Sequence, residues 1–342
     1  MGVLAREWRE LLRCVSCGGE IDSEGEDELR CRACGTEYPV IDGVPRMLPA
    51  EFRDRLGPGE SHDVAQKLRT GTSFAYEWRR FGEPRPEWRR NFLDYLQPHG
   101  PDDLRGKTIL DVGTGSGRHA REAVAMGAAV VAVDVGEAIE VARANLPSTV
   151  LTVQADAERL PFRRDSFDMV MAIGVLHHLP DPARALRGLA PFVRPGGRLH
   201  VYLYWQPPVR LHRLVLRGVN AARRVTTRMS HGLLLALCYP LSVLLFATVV
   251  APYKALRRFP RLQGLASLFP LKAYADYPWR VLVNDQFDRF SAPIEHRYTR
   301  SEVERMMREA GLDEVTVLPN NGWVADGRRP PGGEVGARPP EP

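Results

Sequence analysis

The stretch "TILDVGTGSG", residues 108–117, places an acid, Asp111, and three glycines, Gly113, Gly115 and Gly117, at the end of an apolar run. Glycine lets a ligand approach the backbone where a Cβ would collide, and it adopts turn conformations that other residues resist. A helical stretch follows, and a second apolar run, Ala129 to Val133, closes on Asp134. Strand, glycine turn, helix and strand form a βαβ unit, in which the acid after the second strand accepts both hydroxyls of a ribose. The third run, "TVLTVQAD", ends at Asp156, and a fourth runs from Phe167 to Ile173. The loop reads Gly-x-Gly-x-Gly with a carboxylate before it, which repels a pyrophosphate and suits a cation. This pattern favours S-adenosylmethionine over a dinucleotide.

A second constellation is Cys14, Cys17, Cys31 and Cys34, spaced Cys-x2-Cys-x13-Cys-x2-Cys. Gly18 and Gly35 follow the two pairs and allow tight turns, so that four thiolates converge on one tetrahedral zinc ion. A closed four-sulfur shell leaves no position for substrate, so the metal is expected to be structural. Cys238, set among Leu and Tyr, reads as a small core hydrophobe.

The ordered motifs over residues 108–204 resemble class I S-adenosylmethionine-dependent methyltransferases, specifically the methyltransferase type 11 group. That resemblance implies an α/β fold, a Rossmann-like seven-stranded sheet with helices on both faces. It also implies that Asp111, Gly113, Gly115 and Gly117 lie beneath the methionine portion of the cofactor and that Asp134 holds the ribose. Asp156 and Ala157 match the adenine pair, and Ile173 and Gly174 the segment after the fourth strand. Upstream, "TEYPVIDGVPRMLP" resembles the strand and turn that finish a Trm112-like zinc ribbon, covering residues 11–49. Residues 50–73 read as a linker and 74–328 as the methyltransferase domain, with a disordered tail at 329–342.

Methyl transfer asks little of side chains, because the sulfonium is a good leaving group. Holding the acceptor at about 3 Å supplies much of the rate, and a base is needed when the acceptor carries a proton at neutral pH. His177 and His178 follow the fourth strand, and His296 with Tyr298 forms a second candidate pair. Both pairs also have plainer readings: loop histidines that shape a pocket, and a strand-to-helix join where Thr299 or Ser301 caps a helix ending at Gly311.

The charge is unevenly distributed. The net charge is +5, yet Trp205 to Ala275 holds eleven Lys or Arg and no acid. Gly232 to Tyr253 carries no charge at all, a run nearly long enough to cross a bilayer. Helix and strand signals resume after it, so both ends of residues 205–290 must return to one sheet, and Pro240 is expected to interrupt the run. These residues read as a helical insertion after strand five, a lid over the carboxyl edge and no simple transmembrane span. Leu211, Leu214, Val215, Val219 and Ala222 recur at helical spacing among Arg210, Arg213, Arg217 and Arg224, which suits either an anionic membrane surface or a closed basic cap.

"MGVLAREWRELLRC" lacks a secretory apolar run, and Arg6 stands where a myristoylation motif requires Ser or Thr, so a cytoplasmic chain is expected. The reading is a methyltransferase that uses S-adenosylmethionine on a small lipophilic acceptor, with oxygen slightly preferred over carbon or nitrogen. The alternatives are an rRNA or tRNA methyltransferase, and a non-catalytic cofactor-binding partner subunit. Against nucleic acid, the segment after the fourth strand reads "GVLHHLPDP" and lacks the Pro-Pro-aromatic motif of base amino-group chemistry.

Overall fold

A computed structural model describes residues 8, 10–23, 27–53, 62–207, 210–266 and 272–332. Most of the expected tail lies outside these, but Arg329 does not: it is buried, paired with Asp165, and its backbone N–H donates to Gly197 O at 2.9 Å.

The chain forms two compact units, one of residues 1–207 with 294–342, the other of residues 208–293. In the first unit, β1 (Ile21–Ser23), β2 (Glu28–Cys31), β3 (Glu37–Ile41) and β4 (Val44–Pro45) make a small antiparallel sheet in chain order. β3 alternates buried and exposed residues, as a strand with one wet face should.

The main sheet has seven strands in the order β10-β11-β9-β8-β5-β6-β7. These are β5 (Thr108–Val112), β6 (Ala129–Asp134), β7 (Leu151–Gln154), β8 (Phe167–Ile173), β9 (Val193–Leu203), β10 (Asp313–Pro319) and β11 (Trp323–Arg328). β5 to β9 pair in parallel, while β11 runs antiparallel to β9 and β10 to β11. The parallel strands read as continuous apolar runs because helices cover both faces of the sheet. One apolar cluster joins Leu110, Val131 and Val170 to Leu12, Tyr38 and Met47 of the ribbon, so ribbon and sheet share a core. The other face buries Phe92, Ala123 and Ile139.

Helix α1 (His62–Phe81) begins within the segment read as linker. Its buried residues include Lys67, Thr70, Gly71, Ser73 and Glu77, so hydropathy alone does not reveal the inward face. The remaining helices of this unit include α2 (Glu87–Leu96), α3 (Arg118–Ala125), α4 (Ala138–Asn145) and α5 (Pro182–Leu189). Asp181 caps α5 by accepting from Arg184 N–H at 2.9 Å.

The second unit contains α6 (Arg210–Thr226), α7 (His231–Leu245), a π-helical turn Phe246–Val250, α8 (Ala251–Leu256) and α9 (Trp279–Ser291). Arg223 Nε and Thr226 Oγ1 donate to the carbonyls of Arg289 and Phe290 and so tie α6 to α9. Contrary to the sequence expectation, Pro240 does not break α7, and helical structure continues from His231 to Leu256. Proline removes one ladder hydrogen bond, a local loss that the packed helix tolerates. After this unit, α10 (Arg300–Glu309) opens with a capping box: Thr299 N–H donates to Glu302 Oε2 at 2.7 Å, and Glu302 N–H to Thr299 Oγ1 at 3.4 Å.

Candidate functional site

Gly113, Gly115 and Gly117 all have left-handed φ, at 70°, 57° and 79°. Any side chain there would be strained, and crowding adds to this at all three. A Cβ on Gly113 would come within 2.4 Å of Val175, and one on Gly115 within 2.6 Å of Trp78 Nε1. Asp134 holds the loop closed: its Oδ2 accepts from Gly115 N–H at 3.0 Å and its Oδ1 from Gly136 N–H at 2.9 Å. Burial raises its pKa, with these amides opposing the shift. Asp111 is buried beneath the loop and accepts from Thr114 Oγ1 at 2.7 Å. Burial pushes its carboxyl up to about 6, partly offset by that hydroxyl and reinforced by the charge of Asp134.

Asp156, after β7, accepts from Lys67 Nζ at 2.8 Å. Ala157 beside it is half-buried, and Ile173 ends β8 just before Gly174, whose φ is 82°. Lys67 lies on α1, whose residues meet the segments that follow four of the parallel strands. Gly71 packs on Gly136 after β6, Phe74 meets the ring of His178 at 5.1 Å, and Trp78 lies over the glycine loop. Close approach at Gly71 is possible because it has no side chain. Arg118, which opens α3, is stacked 5.0 Å from Trp78 and 5.1 Å from Trp88.

The structure brings the two histidine pairs together: His296 N–H donates to His177 O at 2.8 Å. His177 is fully buried and stacked on Tyr204 at 3.8 Å, and burial drives its pKa well below the usual value, followed by the charge of His178. It is therefore neutral at physiological pH. His178 Nδ1 donates to Ile294 O at 2.7 Å, a partner that can only accept, which leaves the lone pair on Nε2. His296 and Tyr298 stack at 6.5 Å; burial lowers the first and raises the second. Tyr298 also accepts from Trp323 Nε1 through its carbonyl, a structural tie.

Sequence reasoning missed Lys67, Val175 and Tyr204. The signal available for Lys67 was its place in the spacing Val64, Lys67, Gly71, Phe74, Trp78, one face of a helix.

In the ribbon, the four Sγ atoms lie within 4.8 Å of one another, with Cys14 3.6 Å from Cys34 and Cys17 3.5 Å from Cys31. All four are free thiols. Zinc with Zn–S near 2.3 Å needs sulfurs roughly 3.8 Å apart, so this spacing fits such an ion.

The family described as "Methyltransferase domain" matches residues 110–201, which hold the glycine loop and all three strand-end acids. The chain carries a methyltransferase domain. This domain is similar to part of the ubiquinone biosynthesis O-methyltransferase of Proteus mirabilis, 38% identical over 135 residues, 36% of this chain and 53% of that protein. It is also similar to an uncharacterized methyltransferase of Mycobacterium tuberculosis, 38% identical over 116 residues, 34% of this chain and 45% of that protein. The chain thus spans about half the length of the curated relatives it matches. Among solved structures, a Burkholderia thailandensis 1,6-didemethyltoxoflavin-N1-methyltransferase shares 15% identity, covering 91% of this chain and 100% of that one with a TM-score of 0.45.

Proposed function

We propose that the chain transfers a methyl group from S-adenosylmethionine to a small, lipophilic acceptor, with oxygen preferred as the methylated atom. The observation that carries this reading is the Asp134 carboxylate closing the glycine loop at Gly115, inside a methyltransferase domain. The curated relatives named O-methyltransferases support the choice of oxygen.

The bound donor supplies an electrophilic methyl on a sulfonium. Around it, Asp111 offers a buried carboxylate toward its cationic end, Asp134 accepts from the ribose hydroxyls, and Asp156, oriented by Lys67, serves the adenine. Burial of the loop excludes water that would screen these contacts. For an acceptor that carries a proton, His178 Nε2 has the free lone pair to take it, whereas His177 shapes the pocket. Cys14, Cys17, Cys31 and Cys34 hold a structural zinc.

Donor titration together with transfer of a labelled methyl group to lipid and quinone-like extracts tests the reading. Label entering RNA instead of the extract would overturn the small-acceptor assignment, and donor binding without transfer would favour a cofactor-binding partner subunit.

A further inference from the structure

The second unit exposes an apolar surface that its own packing does not use. Helical structure runs for 26 residues from His231 to Leu256 and its most apolar 18-residue window has a mean hydropathy of 2.4, yet only 28% of that window is buried. Leu234, Cys238 and Ser242 turn one side inward. On the opposite side, Leu233, Leu237, Val243 and Leu244 are 47–58% exposed. The outward face is thus as apolar as the inward one, unlike a surface helix of a soluble cap, which carries polar residues outside. Of the exposed large hydrophobic side chains among the described residues, all but Ile41 belong to this unit.

The unit is also strongly basic: residues 208–293 hold thirteen Lys or Arg against Asp276, Asp285 and Asp288. Arg217, Arg224, Arg228, Arg258 and Arg261 are exposed. A single membrane crossing is ruled out by topology, because β9 before the unit and β10 and β11 after it belong to one sheet.

We propose that this unit seats the protein on the surface of an anionic lipid bilayer, the outer face of the His231–Leu256 helix entering the acyl boundary and the arginines meeting the headgroups. The pairing of the two features selects the occupant. A second copy of the chain would cover the apolar face but bring two strongly cationic units together, whereas an anionic bilayer covers the face and neutralises the charge. Seating on a bilayer would also present the protein to lipophilic acceptors; this corollary rests on the proposed function, but the docking itself does not.

The experiment is co-sedimentation of the full chain with vesicles of pure phosphatidylcholine and of phosphatidylcholine with phosphatidylglycerol, at low and high salt. The wild type is expected to pellet with the anionic vesicles at low salt and to be released as salt rises. Leu237→Glu with Leu244→Glu should abolish pelleting. Arg217→Glu or Arg224→Glu should weaken partitioning by at least about fivefold, the equivalent of roughly 1 kcal/mol per basic residue at the surface. All four positions are exposed, and far-ultraviolet circular dichroism with donor binding on the same samples verifies that each variant folds and that the donor site is intact. Wild type remaining in the supernatant with anionic vesicles would overturn the proposal, as would pelleting unaffected by the leucine substitutions. A concentration-dependent dimer that those substitutions dissociate, in a protein that ignores lipid, would assign the face to a second copy instead.

Discussion

Lys67 Nζ lies 2.8 Å from Asp156 Oδ2 and also contacts Glu158, so one buried ammonium serves two carboxylates 89 and more residues away in the chain. Burial raises the Glu158 carboxyl, but Arg184 and Lys67 outweigh it and hold its pKa below the ordinary value. Such a pair is costly to break: removing one partner of a buried ion pair typically destabilises by about 3–5 kcal/mol, because the survivor keeps its desolvation penalty. Lys67→Met is therefore expected to lower stability by about that amount. Because Lys67 helps hold the Glu158 carboxyl below its ordinary value of 4.5, its stabilisation is present above that pH and fades as pH falls below it, so the loss should be larger at pH 7 than at pH 3.5. Denaturant unfolding at both pH values checks this; an equal small loss at each would mean that the pair is solvated.

Asp134 holds the glycine loop through Gly115 and Gly136, and in the proposed function it also accepts from the donor's ribose. Asp134→Ala is expected to weaken S-adenosylmethionine binding by about 1.5–3 kcal/mol, the range for losing a hydrogen bond to a charged acceptor. Calorimetry reads the affinity directly. An unchanged dissociation constant would remove Asp134 from the donor site.

The Asp111 carboxyl titrates near 6, above the ordinary aspartate value of 3.8, chiefly through burial. A raised folded-state pKa means that the native state holds this proton more tightly than the unfolded chain does. Asp111 therefore favours folding at low pH, and its contribution declines as pH rises from about 4 to about 6, by roughly 3 kcal/mol at most. A cationic ligand beside it prefers the carboxylate. Donor affinity should thus fall by up to tenfold per pH unit below about 6, and binding near pH 6 should release a proton, visible as buffer-dependent calorimetric heats. A pH-independent affinity between 5 and 7.5 would show that Asp111 does not face the donor's charge.

Both histidines are buried: the bond from His178 Nδ1 to Ile294 O directs its lone pair to Nε2, whereas neither ring nitrogen of His177 has a hydrogen-bond partner. His178→Gln is expected to reduce turnover by about 10²-fold on a protonated oxygen acceptor, with donor affinity retained. If His177→Gln gave the same kinetic loss and His178→Gln did not, the roles would be reversed.

The ribbon shares its apolar core with the main sheet, so its metal should support more than its own loop. Elemental analysis is expected to find one zinc per chain. Chelation, or Cys17→Ser, should lower the melting temperature of the first unit, since a structural zinc site contributes directly to folding. Stoichiometric protein without metal at an unchanged melting temperature would make the cysteines a metal-free ribbon.

What the sequence determined by itself was local. The glycine loop, the acids at three strand ends and the paired cysteines are close in the chain, and their chemistry depends on residue type and spacing, which survive in one dimension. The parallel strands announced themselves as apolar runs for the same reason. Helix His62–Phe81 did not, because its inward face is built from Lys67, Gly71 and Ser73, whose burial makes sense only once Asp156, Gly136 and the loop lie opposite. Two separate histidine pairs became one cluster through the His296–His177 backbone bond, a contact of 119 residues' separation that no local pattern encodes. The uncharged run from Gly232 to Tyr253 shows the same division. Its composition fits a membrane span, a buried core helix and a surface anchor equally well, because hydropathy records how apolar a residue is and not which neighbour covers it. The return of both chain ends to one sheet, already legible in the sequence, excludes the single span, and the tertiary structure adds that the helix is not a buried core element, since only 28% of its most apolar window is covered.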